Sequence, residues 1–598
     1  MAPNMNTFFE GEELIVAGTY YADNVSNVLQ FPSTGPLPLI YIGFGNGPAP
    51  KVPVQFNSLL QAQASLRGGQ SASYLTPMFL PSPDPTLNGV NTIIYIEAGE
   101  NTQSTMSLKD TAGTVVINAS SAMYGVSANL LQYNVNTSPS SNPVGGCQVS
   151  ITDGYTNQTI SKNNLGIPMQ VAYLGSQTGV TFSVVASGGV VTEFEVSSPL
   201  ASESYTIPIN SSTTVAYLVA YLNGTGNYSA SVISDGNLPA QDLDVVASVS
   251  LPSGVAGTYV YTNVTSYLPD VVYWLNNYAG NFIFTNSASI VSGTVSSSTT
   301  QVASAPNTNF TGGQSIPPTT ADYTNALIAA ETVTGWTVFM DSNVPANIMM
   351  GAQHAELMSS ITEKNPRRFF SGSTVGDTAT YTEGICKNLN SITTSYVYPG
   401  LQIISQTTGL PTTKGGLYVA AACAGLSCGN RVAEPLTNKQ INGIGVEVAL
   451  NTSTINGLQK SGCIIIQQSN STGIPTLIND FTTWQGDNNV ENVLNQQVAC
   501  RFATNYYINN LLQPYVGQIA AGVISLGKVK TQVIAGLNNI MYTGPGSSGW
   551  VAAWNPASLN LNFNGANMTL AFSASLVFVG QNRFITSYIT VEPLLANL

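Results

Sequence analysis

The sequence predicts α/β (α+β) architecture at the two ends of the chain and a β-rich region inserted between them. Three observations carry this. LIYIGF (39–44) is a continuous apolar strand run, followed by a helix signal and a second strand, NTIIYIEAG (91–99). That β-α-β order belongs to an α/β layer. From about 135 to 310 the chain turns to Ser, Thr, Asn, Gly and Val with short strands, and after 320 helix and strand signals alternate again.

Taken in order, ELIVAGTYY (13–21) is a short strand and FPSTGP a turn. SLLQ (58–61) is a capping box, with Ser58 as N-cap and Gln61 at N3, opening a helix to Leu66. In the middle, VTFSVVAS (180–187) and TEFEVSS (192–198) are strands. Residues 213–234 and 264–285 each read as a short helix, a turn and a strand, which predicts two related β-rich modules with one helix apiece. Residues 292–320 have the composition of a low-complexity linker.

Beyond 320, 321–333 and 346–362 are helical, while 335–342 and 366–373 are strands. GLYVAAACAGLSCG (416–429) is a helix of small residues ended by Gly429. Strands follow at 461–469 and 476–484. A long helix starts near 488, with Asn488 and Glu491 at cap and N3 and an apolar stripe of Val490, Leu494, Val498, Phe502 and Tyr506. Pro514 interrupts it, and a second helix covers about 516–540. Leu559, Leu561 and Phe563, a turn at NGAN (564–567), and Leu570 through Phe578 alternate as a hairpin with one buried face. RFITSYITVEPLLANL (583–598) is then a strand beyond a finished unit. Ile585, Ile589 and Val591 lie on one side and Phe584 and Tyr588 on the other, so both faces need cover. Pro593 ends its pairing.

Composition narrows the function classes. Of 598 residues, 43% are apolar and 8% charged, against the usual quarter or so. Sixteen Lys and Arg face 29 Asp and Glu, a net charge of −13. A charge-poor surface meets copies of itself at little desolvation cost, which favours assembly. A surface-layer or adhesin-like extracellular β protein shares this composition. The few scattered cations give no nucleic-acid footprint. No apolar run reaches the roughly eighteen residues of a membrane span. MAPNMNTFFEGEEL lacks the basic and apolar regions of a secretory signal.

Catalytic chemistry finds no constellation. The six cysteines, Cys147, Cys386, Cys423, Cys428, Cys463 and Cys500, form no CxxC pair, and His354 is the single histidine, so no metal site is expected. The cysteines read as buried free thiols. GFGNG (43–47) follows a strand, but it leads into PAPKVPV rather than a helix N-terminus, so it reads as a tight turn and not a phosphate cradle. Carboxylates are isolated apart from Glu12–Glu13. The sequence therefore argues against an enzyme and against any cofactor.

The order of segments resembles the contractile tail sheath proteins of phages and related injection machines. IYIGFGNGPAPKVPVQFNSLLQAQASLRGG and residues 104–135 are similar to the opening of that family, and NSITTSYVYPGLQ (390–402), KGGLYVAAACAGL (414–426), LQKSGCIIIQQ (458–468) and LINDFTTW (477–484) to its C-terminal half. The resemblance covers about 35–135 and 325–598. One departure is Glu97, in TIIYIEAG, where the family carries an Arg. The resemblance implies an N-terminal arm (1–34), a core made from both chain ends (35–135 and 311–582), β-rich outer domains (136–310) and a C-terminal arm strand (583–598). It implies a virion protein, assembled in the host cytoplasm, whose copies stack as hexameric rings around an inner tail tube protein. The sheath contracts to drive the tube through the host envelope, and it meets baseplate and tail terminator proteins. Neither direct nucleic-acid binding nor membrane insertion is implied. Arm strands that join neighbouring subunits would be carried by Leu14, Ile15 and Val16 and by Phe584, Ile585, Tyr588, Ile589 and Val591. Candidates for inner-tube contact are Arg501, Lys528 and Lys530 on the last two helices.

Overall fold

The computed structural model describes residues 38–254, 258–291, 300–360, 362–363, 365–405, 408–469, 472–486, 494–512, 526–544, 549–564 and 569–578, with two strand segments at Thr7–Phe9 and Glu12–Leu14. Its largest sheet draws strands from two separated stretches of chain. These are β1 (Leu39–Gly43), β2 (Pro53–Phe56), β3 (Ile93–Glu97), β4 (Thr337–Met340), β5 (Arg368–Gly372), β6 (Thr394–Tyr398), β7 (Cys463–Gln468) and β8 (Pro475–Leu477). Their order is β8-β7-β6-β5-β4-β1-β3-β2, parallel from β7 to β3, with β8 and β2 antiparallel at the edges.

Helices cover both faces, which is why the central strands are apolar runs rather than alternating ones. Leu39 and Tyr41 face α1 (Leu59–Leu66), α2 (Ala72–Phe79) and the small-residue helix; Ile40 and Ile42 face the other helix layer. Ser58 caps α1 by accepting from Gln61 N at 3.2 Å, while Gln61 Oε1 accepts from Asn57 N at 2.8 Å. The return bond of the predicted capping box thus reaches one residue earlier than the N-cap.

The β-rich stretch forms two apolar clusters. In one, the sheet of 131–136, 147–153, 159–165 and 305–309 packs with that of 103–109, 115–124 and 289–290. The other joins 169–173, 228–232 and 262–264 to a sheet of 180–187, 190–197, 205–208 and 246–251. Each holds one helix: α3 (Val215–Gly224) in the second cluster and α4 (Pro269–Tyr278) in the first. Two modules with one helix each is the predicted arrangement.

Several local expectations are corrected. Residues 103–136 pair within the β-rich sheets, so the sheets divide near 100 rather than at 135. After α4, Phe282 N bonds back to Ala279 O and only Ile283 makes a bridge, to Ser121, so no strand forms there. The supposed linker contributes Ala305–Asn309, whose backbone pairs with 132–135. Backbone hydrogen bonds need no apolar side chains, which is how a low-complexity segment enters a sheet.

In the second α/β stretch, α5 (Thr320–Glu331), α6 (Pro345–Met358), α7 (Ala379–Leu389), α8 (Gly416–Gly429) and α9 (Thr452–Lys460) alternate with the strands. Helix α8 is buried from Gly416 to Leu426. A Cβ on Gly425 would lie 2.3 Å from Met78 O, so its small residues are what lets α2 approach. Of the strand predicted at 476–484 only Pro475–Leu477 is formed.

The C-terminal unit packs α10 (Asn495–Leu512) and α11 (Leu526–Asn539) with Trp550 and the strand Val551–Trp554. Leu494, Val498 and Phe502 are buried, as their stripe predicts; Val490, the proposed Asn488–Glu491 cap and Pro514 lie outside the described residues. The hairpin sets Leu561 opposite Phe572 and Phe563 opposite Leu570. The strand predicted from 570 to 578 is two strands: Thr569–Ser573 in the hairpin, and Leu576–Phe578 paired with Val551–Trp554.

Candidate assembly site

The glycine loop after β1 is a turn, as its sequence suggests, but it also receives two buried carboxylates. Phe44 N donates to Asp341 Oδ2 at 2.9 Å and Gly45 N to Glu97 Oε2 at 2.9 Å. The loop then leaves the large sheet for the β-rich sheets: Gly47 and Tyr124 exchange backbone bonds of 2.8 and 3.0 Å, and the side chains of Asn46 and Ser315 hydrogen-bond. Glu97 ends β3 and Asp341 follows β4, so both sit at the carboxyl ends of parallel strands. In open α/β sheets that rim is where ligands commonly bind. Here the protein's own acids occupy the backbone donors, so the loop cannot serve as an anion cradle.

A second junction contact links Arg67, at the C-terminal end of α1, to Asp153. Nη1 donates to Oδ1 at 2.9 Å, Nη2 pairs with Oδ2, and the side chains are 4% and 2% exposed. Tyr155 lies under the guanidinium, 5.4 Å from centroid to Cζ. Burial works to raise the Asp153 pKa; the Arg67 bonds, with those from Thr156 and Tyr155, outweigh it and hold it below the usual carboxylate value.

His354 is buried in α6, its Nε2 2.5 Å from Arg367 Nη1. Burial and then the Arg367 charge push its pKa down to about 3, so it stays a neutral acceptor. Arg367 Nη2 donates to Ala330 O and Val333 O at 2.7 and 2.8 Å. This is a structural arrangement that fixes the α5 end. All six cysteines are free and buried. Among the described residues no group of three or more His, Cys, Asp or Glu could hold a metal ion, and no helix is long and apolar enough to cross a membrane.

Of the predicted arm residues, Leu14 lies in the strand Glu12–Leu14, which pairs antiparallel with Thr7–Phe9; Leu14 is opposite Thr7. Ile15, Val16, Phe584, Ile585, Tyr588, Ile589 and Val591 lie outside the described residues. The three tube-contact candidates are not brought into one exposed patch. Lys528 and Lys530 are exposed on α11, on either side of buried Val529. Arg501 is 5% exposed inside the C-terminal unit, its Cζ 5.9 Å from the Phe502 ring. No Lys or Arg occurs between Lys162 and Lys364, so the β-rich modules beyond Lys162 carry only carboxylates, while twelve of the sixteen cations lie from Lys364 onward.

Sequence reasoning missed Asp341, Ser71 and the Arg67–Asp153 pair. The available signal was weak: a lone acid directly after a buried apolar strand, seen at both IIYIE and TVFMD.

No protein-family model matches the chain. In sequence it is similar to the tail sheath protein of Bacillus phage SP01, 24% identical over 501 residues, which cover 80% of either chain. In fold it is similar to a sheath tail protein from Listeria innocua, at 12% identity and a TM-score of 0.54 over 92% of this chain and 94% of that one. A sheath tail protein from Desulfitobacterium hafniense matches at 11% identity and a TM-score of 0.50, over 94% and 100%. The resemblance to contractile tail sheath proteins is therefore present in sequence and in fold.

Proposed function

We propose that the chain is the structural subunit of a contractile tail sheath. It polymerises as stacked hexameric rings around an inner tail tube and contracts to drive that tube through a host cell envelope. The observation that carries this is the sequence match to a phage tail sheath protein over 80% of both chains. The fold likeness to two sheath tail proteins, at 92% and 94% coverage of this chain, supports it.

In this reading residues 1–34 and 583–598 are arms, the stretch from 35 to about 100 together with 311–582 the core, and the β-rich stretch between them the outer domains. Arm strands add to sheets of neighbouring copies, so the links run through backbone hydrogen bonds irrespective of side chains. Such links let rings rotate and shorten while staying joined. Contraction is a switch between two packings, driven by energy stored in the extended one, and needs no cofactor or catalysis. Lys528 and Lys530, the exposed pair among the tube-contact candidates, carry the tube-facing assignment. Baseplate and tail terminator proteins are the partners at the two ends, and the place of action is the virion.

Negative-stain microscopy of the purified chain tests the reading. Long hollow tubes of one outer diameter are expected. Monomers that never polymerise across a range of salt conditions would overturn it.

A further inference from the structure

The two acids under the glycine loop have an unusual set of partners. Glu97 Oε1 accepts from Gly99 N at 2.7 Å, and Oε2 accepts from Gly45 N. Asp341 Oδ1 accepts from Tyr323 Oη at 2.9 Å, and Oδ2 from Phe44 N and Ser71 Oγ at 2.9 and 2.7 Å. Both acids are 0% exposed. Between them runs a chain of hydroxyls: Glu97 Oε2 to Tyr95 Oη at 2.9 Å, Tyr95 Oη to Ser71 Oγ at 3.1 Å, and Ser71 Oγ to Asp341.

The groups facing this cluster are Tyr41 on β1, Tyr74 on α2, Tyr95 on β3 and Tyr323 on α5. Burial, with nearby acids, raises all four phenols, Tyr74 to about 12, so they keep their protons. The cation beside it is Lys51, whose Nζ is already engaged by Ala98 O at 2.5 Å, Glu100 at 2.8 Å and Asp322 at 3.8 Å.

Proton counting then decides the state. Two anions in this site would repel at low dielectric with no cation between them. Two protons would leave the second without an acceptor, since both Asp341 oxygens meet donors. One proton satisfies every group: Glu97 donates to Tyr95, Tyr95 to Ser71, and Ser71 to ionised Asp341. We propose that Glu97 and Asp341 hold a single proton at neutral pH, relayed through Tyr95 and Ser71, and that this proton locks the 44–47 loop and with it the junction between the large sheet and the β-rich sheets.

Burial pushes Glu97 up to about 8, against the opposing bonds from Gly45, Gly99 and Tyr95, and burial raises Asp341 too. A folded-state pKa above the unfolded one means this stabilisation is complete below the unfolded value. It is lost as pH rises through about 8. The inference rests on the junction geometry and the burial of its two acids, and is independent of the assembly reading.

Infrared spectroscopy of the full chain tests it. At neutral pH a buried carboxylic-acid carbonyl band is expected in the wild type, bleaching as pH rises past about 8 and absent in Glu97→Gln. The wild-type melting temperature should fall as pH rises from the unfolded carboxylate value to about 8 and level off above it, and Glu97→Gln should lack that fall. Tyr95→Phe keeps the ring but cuts the relay, and should move the wild-type band and, by removing a bond that lowers the Glu97 pKa, raise its titration midpoint. A neutral-pH wild type without the band, a band that survives Glu97→Gln, or a midpoint unmoved by Tyr95→Phe would overturn the proposal. Should Glu97→Gln fail to fold, the wild-type titration and Tyr95→Phe still decide it.

Discussion

Arg67 and Asp153 meet as a two-pronged ion pair across the junction, joining the end of α1 to the β-rich sheets. Arg67 adopts φ +47° there, a left-handed conformation unusual for a residue other than glycine, so the pair also holds the backbone that terminates the helix.

Removing one partner leaves a buried charge unpaired. Arg67→Met should therefore destabilise the chain by about 3–5 kcal/mol, and Arg67→Met with Asp153→Leu should recover much of that loss. Urea unfolding of the three proteins measures it. Asp153 has a depressed pKa, so its contribution is present above the unfolded carboxylate value and lost as pH falls through the folded one. The single variant should therefore lose less stability on acidification than the wild type. Equal acid sensitivity in the two proteins would dismiss the pair as a stabilising element.

The small-residue helix makes a second prediction. Any side chain at Gly425 meets the Met78 backbone of α2 at 2.3 Å, and a backbone atom cannot rotate away. Gly425→Val should cost about 1–3 kcal/mol or more through overpacking. Gly384, in α7, has open space around an added Cβ, so Gly384→Ala should be neutral or stabilising by about 0.4–1 kcal/mol. Paired thermal melts check both, and a Gly425→Val protein as stable as the wild type would mean α8 and α2 are not held at this distance.

What the sequence disclosed follows the range of the interactions involved. LIYIGF, TVFM and CIIIQQ could be read as buried strands because periodicity and burial are local, and the helix α8 because its small residues run unbroken. The partnership of Arg67 with Asp153, and of Glu97 with Asp341, depends on a sheet that brings distant segments together, and nothing local to either residue encodes it. Ala305–Asn309 was hidden for another reason: its pairing runs through the backbone and one side-chain bond, Asn134 to Asn307, and APNTN carries little strand propensity. The boundary was expected at 135 rather than near 100 because residues 103–136 are good strands in either sheet, and which sheet they join is a tertiary choice.

The arm assignment predicts a separation of folding from assembly. Residues 583–598 follow a hairpin that closes with its own register, Asn560 to Ser573 and Asn564 to Thr569. Deleting 583–598 should leave a folded subunit, with circular dichroism and melting like the full chain, that forms no tubes. Tubes from the truncated chain would remove the C-terminal arm from the joint.

Lys528 and Lys530 give the last prediction. Their side chains are exposed on either side of Val529, which is buried in the C-terminal cluster and anchors the helix there. Exposed substitutions away from core contacts change stability by about 0.5 kcal/mol or less. Lys528→Glu with Lys530→Glu should therefore melt like the wild type. If α11 faces the inner tube, the charge reversal should weaken co-sedimentation with tube protein and leave the wild-type interaction weaker at high salt, since exposed charges are screened. Val529→Ala is the contrasting case: it should destabilise the cluster and impair both properties together. Undiminished tube binding by the doubly reversed chain would place the tube contact elsewhere on the subunit.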